Sequence, residues 1–171
     1  MLLGIGTGSI EEEAKILGSD FPHRWTQARE AVLAMKALWT ADESEFHGKY
    51  YDFPPVYCFP KPAQKPHPPV LLGGKAANVF KRTVDYGDGW IPIDVSPDEV
   101  RAGRAELDRL AIAAGRNPVG IEISVVGLKA DKDLLSKYEA AGTGRAVLSF
   151  PTADKTASFA ELDRIAQELL P

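Results

Sequence analysis

Short apolar runs alternate along the chain with longer stretches whose apolar positions recur every three or four residues. Val70, Leu71 and Leu72 follow Pro69 as a short, fully buried strand, and Gly73-Gly74 come at once. Ala76, Ala77, Val79, Phe80, Thr83 and Val84 then recur at helical spacing up to Gly87. The pattern predicts strand, glycine turn, helix, with the helix starting where the glycines are. The same alternation runs through the chain. Residues 2–5 form an apolar strand, and Ser9-Ile10-Glu11-Glu12 predicts a capping box that opens a short helix over 11–17, closed by Gly18. A helix over 24–39 carries Val32, Leu33, Met35 and Trp39 as its buried stripe. Residues 89–93 read as a strand. Ser96-Pro97-Asp98-Glu99 places a capping serine, a first-turn proline and acid at a helix start. Val100, Gly103, Leu107, Leu110, Ala111 and Ala114 line one face of that helix, and Gly115 ends it. A strand over 120–128, a helix over 131–141 with Leu134, Leu135 and Tyr138 inward, and a strand over 145–150 follow. Pro151 and Thr152 open the last helix, with Phe159, Leu162, Ile165, Ala166 and Leu169 as its stripe.

One stretch breaks the alternation. Residues 41–68 hold Pro54, Pro55, Pro60, Pro62, Pro66 and Pro68 with aromatics interleaved, and proline at this density rules out a helix. Residues 46–51 predict a small hairpin around Gly48. An insertion of this length inside a compact domain is either functional or a solvated excursion that packs its aromatics on the body.

Five strand–helix units with buried, non-alternating strands predict a parallel α/β sheet. Two architectures satisfy that order: an open doubly wound sheet, and part of a (β/α)8 barrel, which when whole takes about 250 residues. The length of 171 residues fits one domain, and 44% hydrophobic with 26% charged residues is an ordinary globular composition. A net charge of −4 leaves no basic footprint for nucleic acid or a membrane surface. Cys58 is the one cysteine, which excludes an internal disulfide and fits a reducing cytoplasm. Met1-Leu2-Leu3 leads straight into a strand, so no signal peptide is expected. His23, His47 and His67 show no metal-ligand spacing, so no metal is expected.

The chemistry begins at the glycine turn. A helix start has N–H groups without intrahelical partners and partial positive charge, and a turn without side chains lets an anion approach. Lys75 adds a full charge. Gly73, Gly74, Lys75 and Ala76 therefore read either as a phosphate site or as a tight turn and nothing more.

Taken in order, the pieces resemble the luciferase-like monooxygenase superfamily, the flavin- and deazaflavin-dependent oxidoreductases built on a (β/α)8 barrel. The resemblance is carried by residues 3–8 with Glu12 and Gly18, by Arg24 through Glu30 to Leu38-Trp39-Thr40, and by Phe46-His47-Gly48-Lys49-Tyr50-Tyr51. It continues through residues 68–74, Gly87-Asp88-Gly89-Trp90-Ile91-Pro92 and residues 145–151. It implies a partial barrel of about five parallel units, corresponding to the fourth through eighth strands of the family, with the first three absent. It further implies a cofactor, coenzyme F-420 or FMN, whose phosphate rests on Gly73, Gly74, Lys75 and Ala76. Thr7 and Arg24 fall where relatives place further phosphate or ring contacts, or Arg24 is only a surface arginine at a helix start; Gly6 and Gly8 either let the cofactor ring approach the backbone or only form a βα turn. Trp90 reads as a structural aromatic or as a wall near the cofactor's tail. A small-molecule substrate is implied, and either a second copy or a complementary chain covers the sheet edges, or the chain is an inactive truncated remnant. The resemblance names no catalytic acid or base.

Overall fold

The computed structural model describes residues 1–150 and 154–169. Its main sheet is assembled from β1 (Leu3–Ile5), β4 (Val70–Gly73), β5 (Gly89–Ile91), β6 (Glu122–Leu128) and β7 (Arg145–Leu148). These lie side by side in the order β1-β4-β5-β6-β7, every neighbouring pair parallel. Spatial order equals chain order with no reversal. A doubly wound sheet reverses at a switch point, so of the two architectures the strand order selects the arc of a barrel. The connecting helices are α1 (Glu11–Ile16), α2 (Arg24–Thr40), α3 (Val79–Tyr86), α4 (Pro97–Ala113), α5 (Lys132–Ala140) and α6 (Lys155–Leu169). The remaining pair, β2 (Glu43–His47) and β3 (Asp52–Tyr57), forms a separate antiparallel hairpin.

Side chains alternate across a strand, so one face of the sheet meets the helices and the other does not. Val70 and Leu72 pack on Val32 and Tyr86, joined by Leu3, Ile5, Leu33, Met35 and Trp39. Trp90, Ile123 and Val125 pack with Val79, Val100, Leu107 and Tyr138 in a second cluster. Opposite them lie Gly89, Glu122, Ser124 and Arg145, where the Ser124 hydroxyl and Arg145 Nε both donate to Glu122 Oε1, at 2.6 and 2.9 Å.

Several element boundaries differ from the sequence reading. The predicted box at Ser9 does not form; Ile10 precedes α1 with extended backbone and no side-chain cap. The six-residue helix buries nothing, so no packing fixes its first turn against a cap. At Ser96 the full capping box is present, Glu99 accepting from the Ser96 backbone at 2.7 Å while Ser96 Oγ accepts from Glu99 N. Val100, Gly103, Leu107 and Ala111 are buried as expected, but Ala114 is the exposed C-cap of α4. The hairpin is longer than residues 46–51, running from Glu43 to Tyr57 with Pro54 and Pro55 inside β3. A two-stranded ribbon has an open edge, where a missing N–H removes no ladder bond. The predicted stripe of α6 buries no residue, and Phe159 and Leu162 stay 55% and 43% exposed. The expected helix start at Pro151 and Thr152 lies outside the described residues.

Candidate functional site

The turn after β4 leaves the C-terminal end of a strand whose Val70, Leu71 and Leu72 are all buried. A Cβ at Gly73 would stand 3.3 Å from the Ile5 carbonyl oxygen and 3.6 Å from that of Ile91, so both flanking strands close on this position. Gly74 takes φ +102° and faces open space. The chain then needs four further residues before it becomes helical: Val79 N donates to Ala76 O at 2.8 Å, Asn78 occupies the N-cap, and α3 begins at Val79. The expectation that the helix starts at the glycines is corrected here. The positive φ of Gly74 turns the chain away from the helix path, and the Ala76–Val79 turn brings it back. No side chain caps the start of α3.

Two ties hold this turn. Trp90 Nε1 donates to the Gly74 carbonyl at 2.8 Å, and Lys75 Nζ donates to the Asp94 carbonyl at 2.5 Å. The Lys75 charge is thus committed across to the segment after β5, where Asp94 has φ +53°. Lys75 lines a cavity of about 260 Å³ with Val79, Phe80, Trp90, Val95 and Glu99. The Glu99 carboxyl is held below its ordinary range, first by the Ser96 backbone N–H and then by the Ser96 hydroxyl.

The turn after β1 lies next to it, because Ile5 is in register with Leu72 on the adjacent strand. Here Gly6, Thr7 and Arg24 come together, with Gln27 and Tyr51, around a cavity of about 270 Å³. Arg24 is placed by its own neighbourhood. One terminal nitrogen donates to the Phe21 carbonyl at 2.7 Å, and the guanidinium lies 3.7 Å from the centre of the Phe21 ring. Its Nε is buried without a hydrogen-bond partner. An orphaned donor on a charged group is costly in a protein interior. The sequence-predicted residues therefore form two adjacent groups: Gly6, Thr7 and Arg24 around one cavity, and Gly73 to Ala76 in the neighbouring turn, with Lys75 lining another.

Tyr51 was not singled out by the sequence reading. It reaches the Arg24 cavity from the tip of the β2–β3 hairpin, and the sequence reading had it only as part of the 46–51 hairpin and family motif, with no site role. The tip is bound to α2 by one carboxylate. Glu30 accepts the backbone N–H groups of Lys49 and Tyr51, at 2.7 and 2.9 Å, and that of Tyr50 between them. Desolvation pushes the Glu30 carboxyl upward, and the three N–H groups outweigh it and hold it below its ordinary value. A Cβ on Gly48 would fall on this carboxylate. Gly48 N closes the turn on Tyr51 O at 2.9 Å, and at the base Ser44 Oγ donates to Ala37 O and Ala41 O, both at 3.0 Å. Among the described residues, no group of three or more His, Cys, Asp and Glu side chains could hold a metal ion. No helix there is long and apolar enough to cross a membrane.

The family profile of the luciferase-like monooxygenases matches residues 1–165. The chain belongs to that family. An uncharacterized protein of Mycobacterium tuberculosis is 33% identical over 171 residues, covering 98% of this chain and 58% of its own length. The FMNH2-dependent dimethylsulfone monooxygenase of Pseudomonas putida is 25% identical over 126 residues, covering 72% of this chain and 34% of its own. Among solved structures, an F420-dependent secondary alcohol dehydrogenase in complex with an F420-acetone adduct superposes with a TM-score of 0.76 at 16% identity, over 99% of this chain and 70% of that one. That likeness establishes the fold as a (β/α) barrel arc. The chain spans somewhat over half the length of the mycobacterial relative it matches.

Proposed function

We propose that this chain carries the cofactor-anchoring part of an oxidoreductase that works with a reduced flavin or with the deazaflavin F-420 on a small-molecule substrate. The observation that carries the reading is the Arg24 guanidinium, whose buried Nε has no hydrogen-bond partner, lining a cavity with Gly6 and Thr7, one strand from an uncapped helix start. These features suit a phosphate. The planar guanidinium offers several N–H donors, Thr7 has a hydroxyl, and Gly73 and Gly74 leave the adjoining turn clear of side chains. When bound, such a cofactor supplies the hydride or the activation of dioxygen. The chain's own part would be to hold the phosphate, at Gly6, Thr7 and Arg24 and along the Gly73-Gly74 turn. We assign the chain to the cytoplasm, in keeping with its single free cysteine, Cys58.

Titration of the purified chain with F-420 and with FMN, followed by absorbance and fluorescence, tests this. Saturable binding of one cofactor is expected, and no binding of either at high micromolar concentration overturns it.

A second reading concerns assembly. The β1 and β7 borders of the sheet have no described strand beyond them, and the α6 stripe is left open at Phe159 and Leu162. Parallel sheets are ordinarily covered and closed. We propose that the chain pairs through these borders, with another copy or a complementary chain, and so completes a barrel and its substrate site. Analytical ultracentrifugation is expected to show self-association or capture of such a partner, and a stable, well-folded monomer of full activity overturns this.

A further inference from the structure

We propose that Glu30 is a positioning residue for the Arg24–Thr7 cavity: by gathering the 49–51 backbone onto α2, it sets Tyr51 as the cavity's outer wall. The inference rests on the reading of that cavity as a cofactor site and adds to it a residue that does not line it.

The argument runs from the hairpin's attachment. A two-stranded ribbon is at best marginally stable on its own. This one is fixed to the body at its base by Ser44, which is 1% exposed, and at its tip by Glu30. Three successive N–H groups converging on one carboxylate make a concave nest of donors. Here the anion filling the nest comes from the chain itself. The nest requires Gly48, because a side chain there would occupy the carboxylate's place. Tyr51 is both the last donor of the nest and a wall of the cavity. Moving the nest therefore moves the wall. Lys49 Nζ lies 5.0 Å from the centre of the Tyr50 ring, so the tip is also ordered within itself. With the tip released, binding a ligand beside Arg24 must first order Tyr51 and the turn that bears it. Immobilising a side chain of that kind weakens binding by about three- to tenfold.

The test compares the wild-type chain with Glu30→Gln, Tyr51→Ala and the double variant, each titrated with FMN and with F-420 and each followed by backbone amide exchange. Glu30→Gln is expected to speed exchange at 49–51 while the amides of β4, β5 and β6 keep their protection. It is also expected to raise the dissociation constant about three- to tenfold, as does Tyr51→Ala, with the double variant no weaker than the weaker single one. Gly48→Ala keeps the carboxylate but displaces it, and is expected to reproduce Glu30→Gln should that variant fold poorly. Unaltered affinity in Glu30→Gln or Gly48→Ala despite a loosened tip overturns the inference alone, as does strict additivity with Tyr51→Ala. No binding of either cofactor by the wild-type chain overturns the reading of the cavity and the inference together.

Discussion

The indole N–H of Trp90 is bonded to the carbonyl oxygen of Gly74 at 2.8 Å. Trp90 belongs to β5 and is 2% exposed, and Gly74 is the first residue beyond β4. The core thus reaches through one side chain to the turn that the site depends on. The ring is fixed from behind: Phe80 meets it edge-on with centroids 4.8 Å apart, and a Cβ at Gly103 would stand 2.6 Å from Trp90 Cζ3.

Trp90→Phe removes the donor and leaves a gap beside Gly103. A loss of about 1–3 kcal/mol is expected, read as a lower denaturant midpoint with an unchanged slope. Cofactor affinity should fall with it, because the Gly74 turn loses its tie. Unchanged stability would show that the bond has no structural weight.

Gly74→Ala isolates the backbone. Nothing lies within 4 Å of the added methyl, so the φ of +102° is the whole cost. A destabilisation of about 1–3 kcal/mol is expected, with no change at Gly120→Ala, which also faces open space but lacks the positive φ.

The two cations of the site should separate by affinity. Arg24→Ala removes a charged donor group with an unmet bond, and about a 10- to 100-fold loss in FMN or F-420 binding is expected. Lys75→Ala removes a charge already committed to the Asp94 carbonyl and should cost less than about threefold. Isothermal titration of the two variants decides between them, and the reverse order would assign the phosphate to the Lys75 side.

Acid should release the hairpin tip. The Glu30 carboxyl is held below its ordinary value of 4.5 in the folded chain. Its contribution is therefore complete above that value and is lost as pH falls through the lower, folded one. Amide exchange at residues 49–51, corrected for intrinsic rate, is expected to accelerate in that acid window and to be indifferent to pH between 6 and 8. The Glu30→Gln variant should show no such step.

Much of this could be read along the chain. Five parallel strands, the buried 70–72 run and the Ser96 box all carry strong local signals: unbroken apolar character, or a cap and a proline at fixed offsets. The family and its two cofactor classes followed from motifs in order. What stayed hidden was set by distant contacts. The true start of α3 depends on how Gly74 turns and on where Lys75 and Trp90 fasten it. The Ser9 box had the right letters but no packing to hold it. Tyr51 and Glu30 are 21 residues apart, and no periodicity links a carboxylate on a helix with a wall on a hairpin. The open stripe of α6 has ordinary helical spacing, and spacing alone does not say what will cover it.

The strand order has an evolutionary consequence. Because each strand is laid beside its predecessor and none is inserted between earlier ones, the arc can gain or shed repeats at either border without rethreading a single connection. A gene duplicated, fused or split at such a border leaves the connections among the remaining strands as they are.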